Sequence, residues 1–207
     1  MDSSSILFVI SAASGTGKTS LINKLLQEDK KLSQIITHTT RPMRAGEISG
    51  VDYHFVSPEK FHALLNQGAL VENAKVFGLD YGTARTSVES ACKDHHDAIV
   101  NIDYQGAKSF MASFPTQVVS IFILPPSWEI LEQRLRSRAS DSESVIRHRL
   151  QAAQEEIAHH GLFDYCLIND QFDHTLEQLK SIISAEQSRS HRVRIKKKNL
   201  FETLENP

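Results

Sequence analysis

The sequence predicts an α/β fold in which a five-stranded parallel sheet is covered by helices on both sides. Three observations carry that expectation. Short, continuous apolar runs alternate with stretches of helical periodicity, the rhythm of a parallel sheet with crossover helices. The first run and the first helical stretch are joined by a glycine-rich hexapeptide, Ser14-Gly15-Thr16-Gly17-Lys18-Thr19. The chain has 207 residues, 40% of them hydrophobic, enough for one core when a domain takes ~150 residues.

The elements follow in chain order. Residues 6–10 are apolar throughout, as a strand buried on both faces must be. A helix over 18–28 places Leu21, Ile22, Leu25 and Leu26 on one face. A weaker strand is expected at Gln34–Thr37. Residues 38–85 break the rhythm: Tyr53 to Val56 is extended, Ser57-Pro58 opens a short helix ending near Gly68, and Leu70 to Phe77 is extended again. A mixed segment between core strands is a candidate substrate-binding subdomain. Thr86-Ser87-Val88-Glu89 has capping-box spacing for the next helix. Further strands are expected at 98–102, 118–124 and 165–168, with helices at 128–137, 142–160 and 172–188. The polar stretch 139–146 suits a mobile lid or an inert turn. Trp128, after Pro125-Pro126, is expected to pack.

Composition excludes several classes. Lys+Arg 23 against Asp+Glu 25 gives a net charge of −2, which argues against a polycation that coats nucleic acid. No segment approaches the ~18 consecutive apolar residues of a membrane span. The start, Met1-Asp2-Ser3-Ser4-Ser5, lacks the basic and apolar regions of a signal peptide. Cys92 and Cys166 are isolated, which excludes a disulfide framework and fits a reducing compartment. A cytoplasmic protein without membrane or nucleic-acid partners is expected, and a homo-oligomer stays open. His95-His96 and His159-His160 are adjacent pairs without an HExxH pattern, so they read as surface histidines. The basic run 189–198 reads as a solvated helix end or frayed tail, with RNA or an acidic partner as the alternative.

The hexapeptide has the order that phosphate chemistry needs. Glycines let backbone N–H groups turn inward around phosphate oxygens, and the helix N-terminus adds partial positive charge. Lys18 can reach the β- and γ-phosphates, and the Thr19 hydroxyl can ligate Mg²⁺. The pattern G-x-x-x-x-G-K-[ST] fails only at its first position, which is Ala12. A P-loop nucleotide-binding domain follows. Further along, Arg41 and Arg44 flank Pro42-Met43. Two guanidinium forks there could hold a dianionic phosphate, or simply form a solvated basic loop.

Several motifs occur in order: the hexapeptide, Thr39-Thr40-Arg41-Pro42, Arg44-Ala45-Gly46-Glu47, Tyr81-Gly82-Thr83, Ile102-Asp103-Tyr104-Gln105-Gly106 and Ile168-Asn169-Asp170. Together they resemble guanylate kinase of the bacterial cytosolic type, over residues 5–188. The resemblance implies a P-loop kinase: a five-stranded parallel sheet core flanked by helices, an inserted mixed α+β GMP-binding subdomain and a helical lid. The core would take 1–37, 96–126 and 162–190, the subdomain 38–95, the lid 127–160 and a basic tail 189–207. The implied reaction is Mg²⁺-dependent transfer of the ATP γ-phosphate to GMP or dGMP.

Carried over by position, ATP contacts fall on Ala12, Ala13, Ser14, Gly15, Thr16, Gly17, Lys18, Thr19 and Ser20, with Asn169 at the adenine. The GMP phosphate falls to Arg41, Arg44, Tyr53 and Tyr81. The guanine falls to Glu72 and Thr83, with Thr37 and Asp103 lining its pocket. Guanine's ring N–H and exocyclic amine suit a carboxylate acceptor, whereas adenine would set lone pair against lone pair. Lys18, Arg41 and the lid arginines Arg134, Arg138 and Arg149 are the implied catalytic cations, and Thr19 the metal ligand. Arg136 and Arg147 read as solvated. Three positions depart from the family pattern: Asn101 replaces an aspartate, Ala13 a proline and Ala139 a glycine. Two other readings compete. Glu72 with Thr83 argues against a kinase for another mononucleotide. Lys18, Thr19 and the lid arginines argue against a catalytically dead binding module.

Overall fold

In the computed structural model, residues 5–93, 96–137 and 143–205 are described. The apolar run becomes β1 (Leu7–Ala12), buried along its whole length. It is the middle strand of a five-stranded sheet. On one side lie β7 (Asp97–Asn101) and then β2 (Leu32–Ile35), and on the other β8 (Val118–Leu124) and then β9 (Tyr165–Ile168). All these pairings are parallel. Neighbours pair both edges of β1 and helices cover both its faces, so its side chains are apolar except for Ser11.

Alternation along β1 sends its side chains to two cores. Ile6, Phe8, Ile10 and Ala12 pack under α1 (Lys18–Glu28) and α7 (Phe172–Gln187), against Leu21, Leu25, Leu176 and Leu179. Leu7 and Val9 face α3 (Arg85–Ala91) and α4 (Tyr104–Ser113), against Val88 and Phe110. A third cluster joins Leu131 and Leu135 of α5 (Trp128–Arg136) and Ile146 and Ala153 of α6 (Glu143–Ala158) to Ala13. The segment between β2 and β7 builds a second, mixed sheet in the order β4 (His54–Phe55), β3 (His38–Thr39), β6 (Leu79–Ala84), β5 (Leu70–Val76). Helix α2 (Pro58–Asn66) starts as its sequence predicts, with Ser57 Oγ accepting from the Lys60 N–H and Pro58 in the first turn. Among the described residues, no helix is long and apolar enough to cross a membrane.

Several expectations need correction. The Thr86–Glu89 capping box does not form: α3 begins at Arg85, with Ala84 at the N-cap and no side-chain cap. Strand β6 runs straight into the helix, and the Arg85 N–H goes to the Ala69 carbonyl instead. The weak strand lies at 32–35 rather than 34–37, because Leu32 and Ile35 are its buried residues when paired with β7. Trp128 is 40% exposed. A first-turn side chain leans past the start of its helix, and Leu131 and Leu135 do the packing. Residues 143–146 belong to α6, while 138–142, with Arg138 and Ala139, and His95 lie outside the described residues.

The basic tail is also more than a solvated end. It forms α8 (Ser190–Lys196), followed by α9 (Lys198–Glu205). Lys196 Nζ donates to both oxygens of the buried Asp97, at 2.8 and 3.0 Å. Asp97 also accepts from the Ile6 N–H and from Gln187. Arg189 and Arg192 meet the buried Glu186 at 2.9 and 3.4 Å. The helix therefore supplies cations to carboxylates that the core has taken out of water. Lys196→Ala is expected to lower stability by about 2 kcal/mol, kept modest by the partial exposure of the lysine and the two remaining donors. The shift of the urea midpoint at constant slope measures it.

Candidate active site

A cleft of about 270 Å³ opens at the carboxyl ends of β1 and β7, where the sheet order reverses direction. Such a switch point leaves a crevice between diverging connections. One wall is the glycine loop. Gly15 and Gly17 stand at φ of 93° and 95°, which only glycine adopts readily, and α1 starts at Lys18. A Cβ on Gly15 would touch Leu131 and Leu135 at 3.0 Å, and one on Gly17 would lie 2.6 Å from Asn169 Nδ2. The loop is thus clamped from behind by α5 and by the end of β9.

All of residues 12–20 line the cleft. Lys18 Nζ donates to the Ile102 carbonyl at 2.9 Å. Burial lowers its pKa to about 8, against the opposing pull of Glu156 and Asp103. Asn169 is buried, and its Nδ2 donates to the Thr16 carbonyl at 2.5 Å. Arg134 donates to the same carbonyl at 3.4 Å and to the Asn169 carbonyl at 3.0 Å. Both side chains brace the loop rather than line the cleft.

The opposite wall comes from the second sheet and α4. Glu72 is 3% exposed and faces Thr83 across the β5–β6 pairing. Thr83 Oγ1 donates to Glu72 Oε1 at 2.6 Å. Burial pushes the Glu72 carboxyl up to about 7; Thr83 pulls it down and Asp103 adds to the rise. Asp103 caps α4 by accepting from the Gly106 N–H at 2.8 Å. Thr37, Arg44, Tyr53, Tyr81 and Asp103 line the cleft with Glu72, while Thr83 stands behind the carboxylate. Arg41 is buried beside this wall. It donates to Glu47 Oε1 at 2.6 Å, and its guanidinium lies 5.4 Å from the centre of the Tyr53 ring. Glu47 also accepts from the Arg44 backbone N–H at 2.7 Å, so one carboxylate holds the Arg41 guanidinium and the Arg44 backbone.

From α6, Arg149 and Glu156 line the cleft. Glu156 Oε2 accepts from the Ser14 N–H at 3.2 Å. Glu156 escapes sequence reasoning; its seven-residue spacing from Arg149, which keeps both on one helical face, is the signal for it. Phe77 is a second omission. It holds φ 50° in the β5–β6 turn, lines the cleft and meets the His148 ring of α6 at 5.3 Å. Arg136, exposed, pairs with Glu132 and Glu143.

A Mg²⁺ ion that arrives on nucleotide phosphates needs few protein ligands, and hard oxygen ones. Among the described residues, no three His, Cys, Asp or Glu side chains group as a metal cage. Thr19, Asn101 and Asp103 line the cleft together and present hydroxyl, amide and carboxylate oxygens, a donor set that fits such an ion.

Comparison with known proteins agrees with this geometry. The sequence model of the guanylate kinase family matches residues 4–186. Guanylate kinase of Methylobacillus flagellatus is 47% identical over 198 residues, which cover 96% of this chain and 98% of that protein. Guanylate kinase of Hahella chejuensis is 51% identical over 183 residues, 88% of each chain. The crystal structure of guanylate kinase from Anaplasma phagocytophilum superposes with a TM-score of 0.75 at 34% identity, covering 91% of this chain and 89% of the other. A glycine loop facing a buried carboxylate, on a chain this similar to these enzymes over most of its length, places the protein in the guanylate kinase family.

Proposed function

We propose that the protein transfers the γ-phosphate of ATP to GMP, and equally to dGMP, releasing ADP and GDP or dGDP in the cytoplasm. The observation that carries this reading is the buried Glu72–Thr83 pair across one cleft from the phosphate loop. An ionised carboxylate there accepts guanine's two adjacent N–H donors, and the selectivity comes from the polar groups another base would leave unpaired.

The loop and Lys18 hold the β- and γ-phosphates. Arg41, Arg44, Tyr53 and Tyr81 hold the GMP phosphate, and Thr37 and Asp103 complete the guanine pocket. The Glu47 bond supports this role for Arg41, because it fixes the guanidinium over Tyr53 before substrate arrives. Mg²⁺, held through Thr19 with Asn101 and Asp103 near, would neutralise charge on the phosphate oxygens. A GMP phosphate oxygen attacks the γ-phosphorus in line, and the bond to the β–γ bridging oxygen breaks. That nucleophile is already ionised at neutral pH, so neither a general base nor a phospho-enzyme is required. Arg149, with Arg138, stabilises charge spreading over the transferring group, and Arg134 serves the same step by holding the loop through the Thr16 and Asn169 carbonyls. Asn169 serves the adenine end by holding the loop on which ATP sits. Closure of 127–160 over the 38–95 segment excludes water that would otherwise take the phosphoryl group. Neither a nucleic acid nor a membrane enters this reading.

ADP release from Mg²⁺-ATP, with GMP, dGMP, AMP, CMP and UMP offered separately, tests it. Turnover with GMP and dGMP alone is expected. Comparable turnover with AMP would overturn the role given to Glu72, and binding of GMP without any turnover would make the chain a binding module.

A further inference from the structure

Helix α4 carries a buried glycine, Gly106, in its first turn. Glycine is the poorest helix former after proline, so a glycine inside a helix calls for a reason. Backbone conformation is not that reason, because Gly106 is absent from the positive-φ glycines and sits in ordinary helix. Space is. A Cβ at this position would stand 2.6 Å from Glu72 Oε2, 3.2 Å from Glu72 Cδ and 3.3 Å from Asp103 Oδ1. The first of these distances is too short for any carbon.

Something must shift if a side chain is added, and the surroundings decide what. The α4 backbone is held by the buried Ala107 and Phe110 and by the Asp103 cap. The β5 backbone is held by its pairing with β6 at Glu72 and Thr83. Only the end of the Glu72 side chain is free to turn, and turning it strains or breaks its 2.6 Å bond from Thr83. We propose that Gly106 is a positioning residue for base specificity: the side chain it lacks is the space in which the Glu72 carboxylate stands. Any Cβ there leaves the fold intact and swings the carboxylate off the guanine edge. The proposal rests on Glu72 as the guanine reader and adds a second residue that determines it.

Gly106→Ala should separate fold from function. Alanine's gain in the helix offsets the strained Thr83 bond, so the melting temperature should hold. The KM for GMP should rise on the order of a hundredfold, as a displacement of about 1 Å at a reacting site can impose. The KM for ATP should stay within about twofold. Gly106→Ser is expected to behave alike, since the Cβ is the offending atom. Glu72→Gln is measured beside them. An unchanged KM for GMP in Gly106→Ala would overturn the proposal, as would a lowered melting temperature with both substrates weakened together. An unchanged KM for GMP in Glu72→Gln would instead overturn the reading of Glu72, whatever Gly106 does.

Discussion

Glu72→Gln is expected to lower kcat/KM for GMP about a thousandfold while leaving the KM for ATP within about twofold. The amide keeps one acceptor but turns an NH₂ toward a base edge that itself donates. The loss is large because the group is nearly solvent-free and no water can fill in. The same burial raises the Glu72 carboxyl to about 7 in the free protein. Below that pH the group is protonated and offers guanine one acceptor too few. The KM for GMP should therefore fall as pH rises from 6 to 8, and Glu72→Gln should flatten that dependence. Initial rates with GMP varied at saturating ATP, at each pH, measure both effects.

Lys18→Ala is expected to reduce GMP-dependent turnover about a thousandfold, the scale for removing a preorganised charge from a transferring group. The fold should survive. Burial depresses the Lys18 pKa to about 8 from 10.5, so holding the ammonium works against the folded state. Between these two values the unfolded chain binds the proton and the folded chain does not. Wild-type stability should accordingly rise from pH 8 to pH 10.5, and the alanine variant should lose that rise. ATP binding has the opposite sensitivity, since phosphate oxygens favour the ammonium. Affinity for ATP should weaken above pH 8, with proton uptake on binding. Calorimetric titration in buffers of different ionisation enthalpy counts that proton.

The phosphate loop is readable from the bare sequence because strand, loop and helix are contiguous and the backbone does the chemistry. Helix α2 is readable for a similar reason, since Ser57 and Pro58 act on the turn that they begin. The parts that escape are those made by distant chain. Glu156 meets the Ser14 N–H across 142 positions, and Lys196 meets Asp97 across 99. Neither contact leaves a local pattern, and a run of basic residues looks the same whether water or a buried carboxylate faces it. The α3 cap fails in the other direction. Its local pattern is good, but the β6 strand and the Ala69 carbonyl settle where the helix starts. The guanine pocket lies between these cases. The residue types at 72 and 83 are visible, but their pairing becomes a site only through the β5–β6 register.

The central place of β1 has a consequence for how the chain is made. Its partners are Ala98 to Asn101 on one side and Val118 to Ile123 on the other, so both edges of the first strand wait for chain not yet synthesised. At ~5–20 residues per second, the ribosome takes roughly 5 to 20 seconds to supply the nearer partner. Throughout that interval, a strand apolar but for Ser11 has two open edges in the nascent chain, the form most prone to pair with a stranger. The mixed sheet of 38–84 draws its pairing from nearby residues and can close on its own in that time. The second sheet can thus form before the core sheet that will carry it, and the phosphate loop, strung from β1, takes shape after it.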